Sequence, residues 1–262
     1  MERLLEWSNG WSGDIMRLTV TFEHPNLVSI PINYNYFLSS LIYENLPESA
    51  DRIHGNGFQY EKRKFKLFTF SRLGGTYVMK DRNMVFTGNV SFTFSTAVDG
   101  IAEEFAKSMV AKESVRIGSV ELKTSSIYVH KEPELSDRVF IRTLSPITVY
   151  STLLTKDGKK KTYYYSPYEK EFSSLVDANL RKKYFALGKK ASDSTPLQIV
   201  PMGRQREVIA DFKGTVVKGW MGTYELKGEP ELVKLAYDAG IGAKNSEGFG
   251  CFEILEVKPD AA

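Results

Sequence analysis

The residues that hold metals or form cross-links are scarce in this chain. Its 262 residues include one cysteine, Cys251, and three histidines. A single cysteine cannot form an internal disulfide, and no Cys/His pattern with zinc spacing is present. No apolar run approaches the roughly 18 residues that a membrane-spanning helix needs. We therefore expect a soluble, cytoplasmic protein that uses no metal, no cofactor and no membrane.

A strong excess of either charge is also lacking. The formal net charge is +3, which by itself predicts no nucleic acid. Positive charge is instead concentrated in four short runs, "RKFK", "KDGKKK", "RKK" and "GRQR", near aromatic stretches such as "TYYYSPY". Any one run is typical of a solvated loop, but four of them interleaved with aromatics favour a polyanion as partner. The residues of these runs that we predict to contact phosphates are Lys159, Lys160, Lys161, Arg181, Lys182, Lys183, Arg204 and Arg206.

The hydrophobic periodicity predicts the same order of elements twice. In the first half it indicates a strand at 16–23, a helix at 34–46, strands at 65–73 and 76–96, a helix at 97–112 and a strand at 115–131. In the second half it indicates a strand at 138–151, a helix at 166–187, strands at 196–203 and 207–226, a helix at 229–240 and a strand at 250–258. Each half therefore reads β-α-β-β-α-β. The predicted fold class is α+β, with two tandem ferredoxin-like (RRM-like) domains and a C-terminal glycine-rich loop.

Local signals set the boundaries of these units. The segment "KEPELSD" divides the chain into domains at 16–131 and 132–262. Residues 1–15 are either an N-terminal extension or a misassigned start, because Met16 opens the first clear strand. In the third helix, Ser166 is the predicted N-cap, Pro167 the first helical residue and Glu169 the partner in a capping box. Gly240 is the predicted cap of the last helix.

Four segments resemble the CRISPR-associated RAMP proteins: "PINYNYFLSSLIYENL", "RIHGNGFQYEKRKFKLFTFSRL", "LSPITV" and "GIGAKNSEGFG". Within that superfamily the chain is similar to the metal-independent endoribonuclease that cuts CRISPR repeat transcripts into guide RNAs. The resemblance implies cleavage within the repeat by the ribose 2′-hydroxyl, leaving a 2′,3′-cyclic phosphate and a 5′-hydroxyl. It implies CRISPR repeat RNA as partner, with effector-complex subunits as further partners. The protein would act as a monomer or homodimer.

The same resemblance implies a catalytic set of Tyr43, His54 and Lys66. The insert between His54 and Lys66 leaves Lys64 and Lys62 as alternatives for the lysine. The chemistry agrees with these residue types, because a histidine can act as base or acid near neutral pH. A lysine stabilises the charge of the phosphorane, and a tyrosine hydroxyl orients groups or donates a proton.

The glycine-rich loop before the last strand has two interpretations. In the first, Gly242, Gly248 and Gly250 let the backbone approach RNA phosphates, and Lys244 adds charge. In the second, the loop packs against the cleft between the two domains. No lysine–serine pair follows the last glycine and the loop enters a strand, which excludes a Walker or Rossmann motif.

Two other functions fit the same patterns. One is a RAMP subunit that binds repeat RNA without cutting it. The other is a general single-stranded RNA-binding protein with two ferredoxin-like domains, of which "VSFTFS" is a loose signature. Cleavage of repeat RNA separates both from an endoribonuclease.

Overall fold

The computed structural model of the protein describes residues 5–7, 16–49, 53, 55, 57–189 and 195–255. The four α-helices of these residues are α1 (Asn35–Glu44), α2 (Ile101–Ala111), α3 (Lys170–Ala186) and α4 (Pro230–Ala239). The strands of the first half are β1 (Leu5–Trp7), β2 (Arg17–Glu23), β3 (Val28–Pro31), β4 (Phe58–Tyr60), β5 (Arg63–Phe65), β6 (Phe68–Phe70), β7 (Tyr77–Lys80), β8 (Asn83–Phe86), β9 (Val90–Thr96), β10 (Val115–Ile117) and β11 (Val120–Val129). Those of the second half are β12 (Arg138–Thr143), β13 (Tyr150–Leu154), β14 (Lys160–Tyr164), β15 (Gln198–Phe212), β16 (Thr215–Lys227) and β17 (Phe252–Leu255).

The main sheet of the first half has the order β1-β11-β2-β9-β6, and β10 pairs with β11. Without β1 and β10, its strands follow the order fourth, first, third, second along the chain. Helix α1 lies between the first and second of these strands, and α2 lies between the third and fourth. The predicted β-α-β-β-α-β order is therefore present, with short strands added to it.

Alternation explains which face of this sheet is buried. In β2, Leu18, Val20 and Phe22 point to one side and are fully buried. Phe94 of β9 and Phe105 of α2 meet there, with ring centroids 4.9 Å apart. Phenylalanine side chains thus fill much of the core between this sheet and its helices.

The sheet of the second half has the order β15-β16-β12-β17. In chain order these are its second, third, first and fourth strands, so both halves share one topology. The hairpin β13–β14 is inserted between β12 and α3. Lys213 and Gly214, with φ of +53° and +76°, form the turn between β15 and β16.

Two local predictions need correction. Helix α3 begins at Lys170, with Glu169 as its N-cap residue. Pro167 lies outside the helix, and only one half of the predicted capping box forms, in which the Glu169 carboxylate accepts a hydrogen bond from the Ser166 N–H. The predicted strand 196–203 and the start of the predicted segment 207–226 form one continuous strand, β15, which contains a bulge.

The N-terminal segment is described only in part. Leu5–Trp7 forms β1, which pairs in parallel with β11. The remaining residues of the predicted extension lie outside the described ones. Within the described residues, no helix is both long enough and apolar enough to span a membrane.

A buried arginine joins the two halves. The Arg17 side chain, 3% exposed, donates a 2.6 Å hydrogen bond to the Phe252 carbonyl oxygen and lies 4.0 Å from the ring centroid of Tyr237. Arg17 is on β2, whereas its contacts belong to the last helix and last strand of the second half. The seam between the halves is therefore packed and hydrogen-bonded, and the candidate site lies along it.

Candidate active site between the two halves

Helix α1 presents a polar stripe to the glycine-rich loop. Asn35, Ser39 and Tyr43 are spaced by four residues and therefore share one face of the helix. The Asn35 Nδ2 donates to the Glu247 carbonyl oxygen at 2.8 Å, and the Ser39 hydroxyl donates to the Ser246 carbonyl oxygen at 3.1 Å. Sequence reasoning missed this stripe, although the i, i+4 spacing in "NYFLSSLIY" is its signal.

Tyr43 completes the stripe at the end of the helix. Its ring packs edge-on against Phe68, with centroids 5.5 Å apart. Burial raises the pKa of Tyr43 to about 12, against the effect of a hydrogen bond with the Ser246 side chain. The phenol is therefore protonated at physiological pH and can donate a hydrogen bond or a proton.

Lys66 lies on the other side of the same loop. It follows the hairpin β4–β5, and its pKa is lowered by partial burial and by the neighbouring charge of Lys64. A Cβ placed on Gly57 would be 3.5 Å from the Lys66 Nζ, so this ammonium group lies close to the Gly57 backbone. Two lysines held near each other make a site that an anion stabilises.

His54 lies outside the described residues, but the chain on either side of it is described. Ile53 is fully buried, and its N–H donates to the Ser49 carbonyl oxygen at 2.9 Å. The carbonyl of Gly55 accepts a 3.3 Å hydrogen bond from the Lys64 Nζ. Gly55 is thus held next to Lys64.

Tyr43 and Lys66 line two adjoining clefts that have two lining residues in common. Ser246 and Glu247 line a cleft with Lys64 and Lys66, and they also line the adjoining cleft with Tyr43. The structure therefore brings Tyr43 and Lys66 to the two sides of the 3₁₀ turn Asn245–Glu247. Lys64 lines the same cleft as Lys66, whereas Lys62 lies in the exposed turn between β4 and β5.

The glycines of the loop are used for close packing within the protein. Gly242, Gly248 and Gly250 are all buried, with φ between +73° and +87°. A Cβ on Gly248 would lie 2.5 Å from the Phe70 ring, and one on Gly250 would lie 1.9 Å from the Ile241 carbonyl oxygen. The closest atom to a Cβ on Gly242 would be the carbonyl oxygen of Thr148, at 2.6 Å.

Two backbone N–H groups of this loop are also occupied. That of Gly248 donates to the Asn245 carbonyl oxygen and that of Gly250 to the Pro146 carbonyl oxygen, both at 2.9 Å. At Gly248 and Gly250 the loop therefore packs within the protein, as in the second interpretation, whereas Gly242 also lines a cleft with Lys182 and its contact with phosphate stays a prediction. Lys244 lies beside the cleft, where its Nζ pairs with the Glu247 carboxylate at 2.8 Å.

The predicted phosphate contact of Lys183 also needs correction. The sequence predicts that it contacts phosphate in a surface run, but its side chain is 2% exposed. Its Nζ donates to the carbonyl oxygens of Gly240 and Gly242 and to the Asn245 Oδ1. The predicted surface residue is therefore a buried one that is hydrogen-bonded to three protein oxygens at the edge of the cleft lined by Lys64 and Lys66.

The other predicted cations differ in exposure. Arg181 is largely buried in an ion pair with Asp177, at 3.0 Å, and also donates to the Thr195 carbonyl oxygen. Lys182 is half-buried and lines a cleft with Arg63. The exposed ones lie on the hairpin β13–β14 and at the bulge of β15, and they are Lys159, Lys160, Lys161, Arg204 and Arg206.

No cluster of three or more His, Cys, Asp or Glu side chains in the described part of the chain is arranged to hold a metal ion. At the seam the structure brings together the phenol of Tyr43 and the ammonium groups of Lys64 and Lys66.

Comparison with known proteins identifies two family models along the chain. The model of the N-terminal part of CRISPR-associated protein Cas6 matches residues 29–128, and that of its C-terminal part matches residues 130–254. The CRISPR-associated endoribonuclease Cas6 of Pyrococcus furiosus is 30% identical over 229 residues, which are 86% of this chain and 83% of that protein. Endoribonuclease Cas6 1 of Methanocaldococcus jannaschii is 27% identical over 253 residues, 93% of this chain and 94% of that protein. A solved structure of a CRISPR-associated protein Cas6 superposes with a TM-score of 0.77 at 26% identity, covering 92% of this chain and 99% of that one.

Proposed function

Because the chain belongs to the Cas6 family of CRISPR-associated endoribonucleases, we propose that it cleaves CRISPR repeat RNA by metal-independent acid–base catalysis at the seam between its halves. The observation that carries this proposal is the placement of Tyr43 and Lys66 on the two sides of Ser246 and Glu247. We also propose that each half is a ferredoxin-like unit, because the two halves share one strand order.

The reaction needs three things from the protein. The 2′-hydroxyl must lose its proton, the negative charge of the phosphorane must be stabilised, and the leaving 5′-oxygen must gain a proton. In our proposal His54 accepts the 2′-hydroxyl proton, because an imidazole is partly neutral near pH 7. The 2′-oxygen then attacks phosphorus while the bond from phosphorus to the 5′-oxygen breaks.

The other two residues act on the charge that this step creates. Lys66, with Lys64 beside it, stabilises the phosphorane oxygens. Tyr43 donates its phenolic proton to the leaving 5′-oxygen, a role consistent with its raised pKa. The products are a 2′,3′-cyclic phosphate and a 5′-hydroxyl, and proton transfer from solvent restores the phenol.

RNA binding is assigned to the exposed cations. The proposal is supported by the exposure of Lys159, Lys160, Lys161, Arg204 and Arg206, and by the position of Lys182 and Lys244, each of which lines a cleft. These contacts are electrostatic and do not depend on base sequence.

The test is incubation of the purified protein with the repeat RNA of its own host in EDTA. We expect cleavage within the repeat, with the two end groups named above. A 2′-deoxy substitution at the scissile nucleotide should block cleavage and leave binding largely intact. Activity that is lost in EDTA and restored by magnesium would contradict the metal-independent mechanism, and binding without cleavage would favour a non-cleaving RAMP subunit.

A further inference from the structure

Lys183 makes an unusually complete set of contacts for a lysine that meets no carboxylate in the described structure. Its ammonium group lies 2.7 Å from the Gly240 carbonyl oxygen, 3.1 Å from that of Gly242 and 2.7 Å from the Asn245 Oδ1. Each of its three N–H donors can thus be matched to one acceptor. Burial lowers the pKa of Lys183 to about 7, and the three oxygens oppose that effect by favouring the charged form.

Asn245 connects Lys183 to the 3₁₀ turn through the hydrogen bonds of its side-chain amide. While its Oδ1 accepts from Lys183, its Nδ2 donates to the carbonyl oxygens of Ile241 and Phe249, at 3.1 and 3.0 Å. The amide therefore bridges the two ends of the glycine-rich loop, and Lys183 fixes its orientation. Ser246, the next residue, is the one that contacts Tyr43.

A buried charge needs a reason. An apolar side chain of similar volume would fill the same space without desolvating an ammonium group. Lysine instead ties α3 to the loop that contains Ser246, whose side chain is hydrogen-bonded to Tyr43.

We propose that Lys183 is a positioning residue for RNA cleavage. It holds the turn Asn245–Glu247 so that Ser246 keeps the Tyr43 phenol aimed at the reacting phosphate, and it does not touch the RNA itself. This inference rests on the proposed function of the seam.

The first test is Lys183→Met, which keeps an unbranched stem and removes the ammonium group. The single-turnover cleavage rate at saturating protein should fall by about 10- to 100-fold, the usual cost of a misplaced catalytic group. The Kd for repeat RNA should stay within about twofold, because the ammonium group makes no phosphate contact. Lys170→Met, the same change at an exposed position at the start of α3, is the matched control and should alter neither quantity. Weaker RNA affinity with an unchanged rate would overturn the proposal.

The second test asks whether Lys183 acts through Tyr43. In a Tyr43→Phe background, Lys183→Met should cost much less than in the wild type, because the group that it positions is already absent. If the two rate reductions multiply in full, Lys183 does not act through Tyr43 and the proposal fails.

The third test needs no RNA. Amide hydrogen exchange across 240–251 should become faster in Lys183→Met, while the strands of the first-half sheet keep their protection. If Lys183→Met does not fold, Asn245→Ala replaces it in this test. That variant removes one acceptor of Lys183 and the bridge across the loop, and it should give the same local change. A wild-type protein that fails to cleave repeat RNA would overturn the proposed function, whereas unchanged exchange in a protein that does cleave would overturn the role of Lys183 alone.

Discussion

The two loops that meet at the seam are built in opposite ways. The glycine-rich loop of the second half is buried, and its glycines sit where a side chain would collide with protein atoms. The hairpin β4–β5 of the first half is largely exposed, and a ring stack between Tyr60 and Phe185, with centroids 5.5 Å apart, joins it to α3. A Cβ on Gly55, beside position 54, would meet nothing within 4 Å.

We expect the two loops to contribute differently to the proposed function. We expect the glycine-rich loop to hold Tyr43 through Ser246, because the loop is closely packed. We expect Lys64, on the exposed hairpin, and Lys66, directly after it, to meet the phosphate from the other side of the turn Asn245–Glu247. In our proposal the donor and the cations must meet at one phosphate.

The largest expected effect concerns His54. His54→Ala should lower single-turnover cleavage by about 10²–10⁴-fold, the usual range for one general acid or base. RNA affinity should change little, because one imidazole supplies almost none of the phosphate contacts. The pH–rate profile should lose the limb that belongs to the histidine. Cleavage within a few-fold of wild type would mean that this protein works without a catalytic histidine.

Two glycine variants test the close packing of the glycine-rich loop. Gly248→Ala should reduce the free energy of unfolding by about 2–4 kcal/mol, because its φ of +87° is strained for alanine and its Cβ would lie 2.5 Å from the Phe70 ring. Gly55→Ala is the matched control and should stay within about 0.5 kcal/mol, because a Cβ there meets nothing within 4 Å. Denaturant unfolding measures both, and equal destabilisation would remove the contrast between the loops.

Tyr43→Phe separates donation from packing. The ring stays on Phe68, so stability should hold, while single-turnover cleavage should fall by about 10²-fold, the lower end of the range for one general acid, because one proton donor is gone. Since burial raises the pKa of Tyr43 to about 12, the phenol stays protonated in ordinary assays. The ratio of wild-type to mutant rates should therefore be constant between about pH 6 and 9. A ratio that grows with pH would indicate phenolate acting as a base.

The ring stack on the hairpin should have a smaller effect. Tyr60→Ala removes a contact worth about 0.5–1.5 kcal/mol and loosens the support of Lys66. We expect a few-fold decrease in cleavage with little change in global stability. Tyr77→Ala removes a similar ring contact, with Phe86, from an edge strand, and it should leave cleavage unchanged. An equal decrease in both variants would mean that the stack has no specific role.

Sequence reasoning succeeds where a local pattern determines the outcome. Alternation and helical stripes predict the β-α-β-β-α-β order of both halves, and Gly240 caps α4 as predicted. It fails where a tertiary partner decides. A lysine in "RKK" looks the same whether its ammonium group meets water or three protein oxygens, so the burial of Lys183 could not be read from the chain. The pattern likewise indicates a loop where the hairpin β4–β5 forms, because its strands have three residues each.

The smallest expected effect concerns the exposed hairpin β13–β14. Lys160 and Lys161 are exposed and lie on β14, whereas Arg181 is held by Asp177 and a backbone carbonyl. Changing Lys160 and Lys161 to Gln should reduce the slope of log affinity against log salt by roughly one unit for each phosphate that is no longer neutralised. The cleavage rate at saturation should not change, because neither residue lines the clefts beside Tyr43 and Lys66. Arg181→Gln is the informative comparison: it should lower stability because its ion pair is broken, and it should leave the salt slope intact. An unchanged slope in the double lysine variant would show that this hairpin is solvated surface, and that the cations nearer the cleft carry the binding.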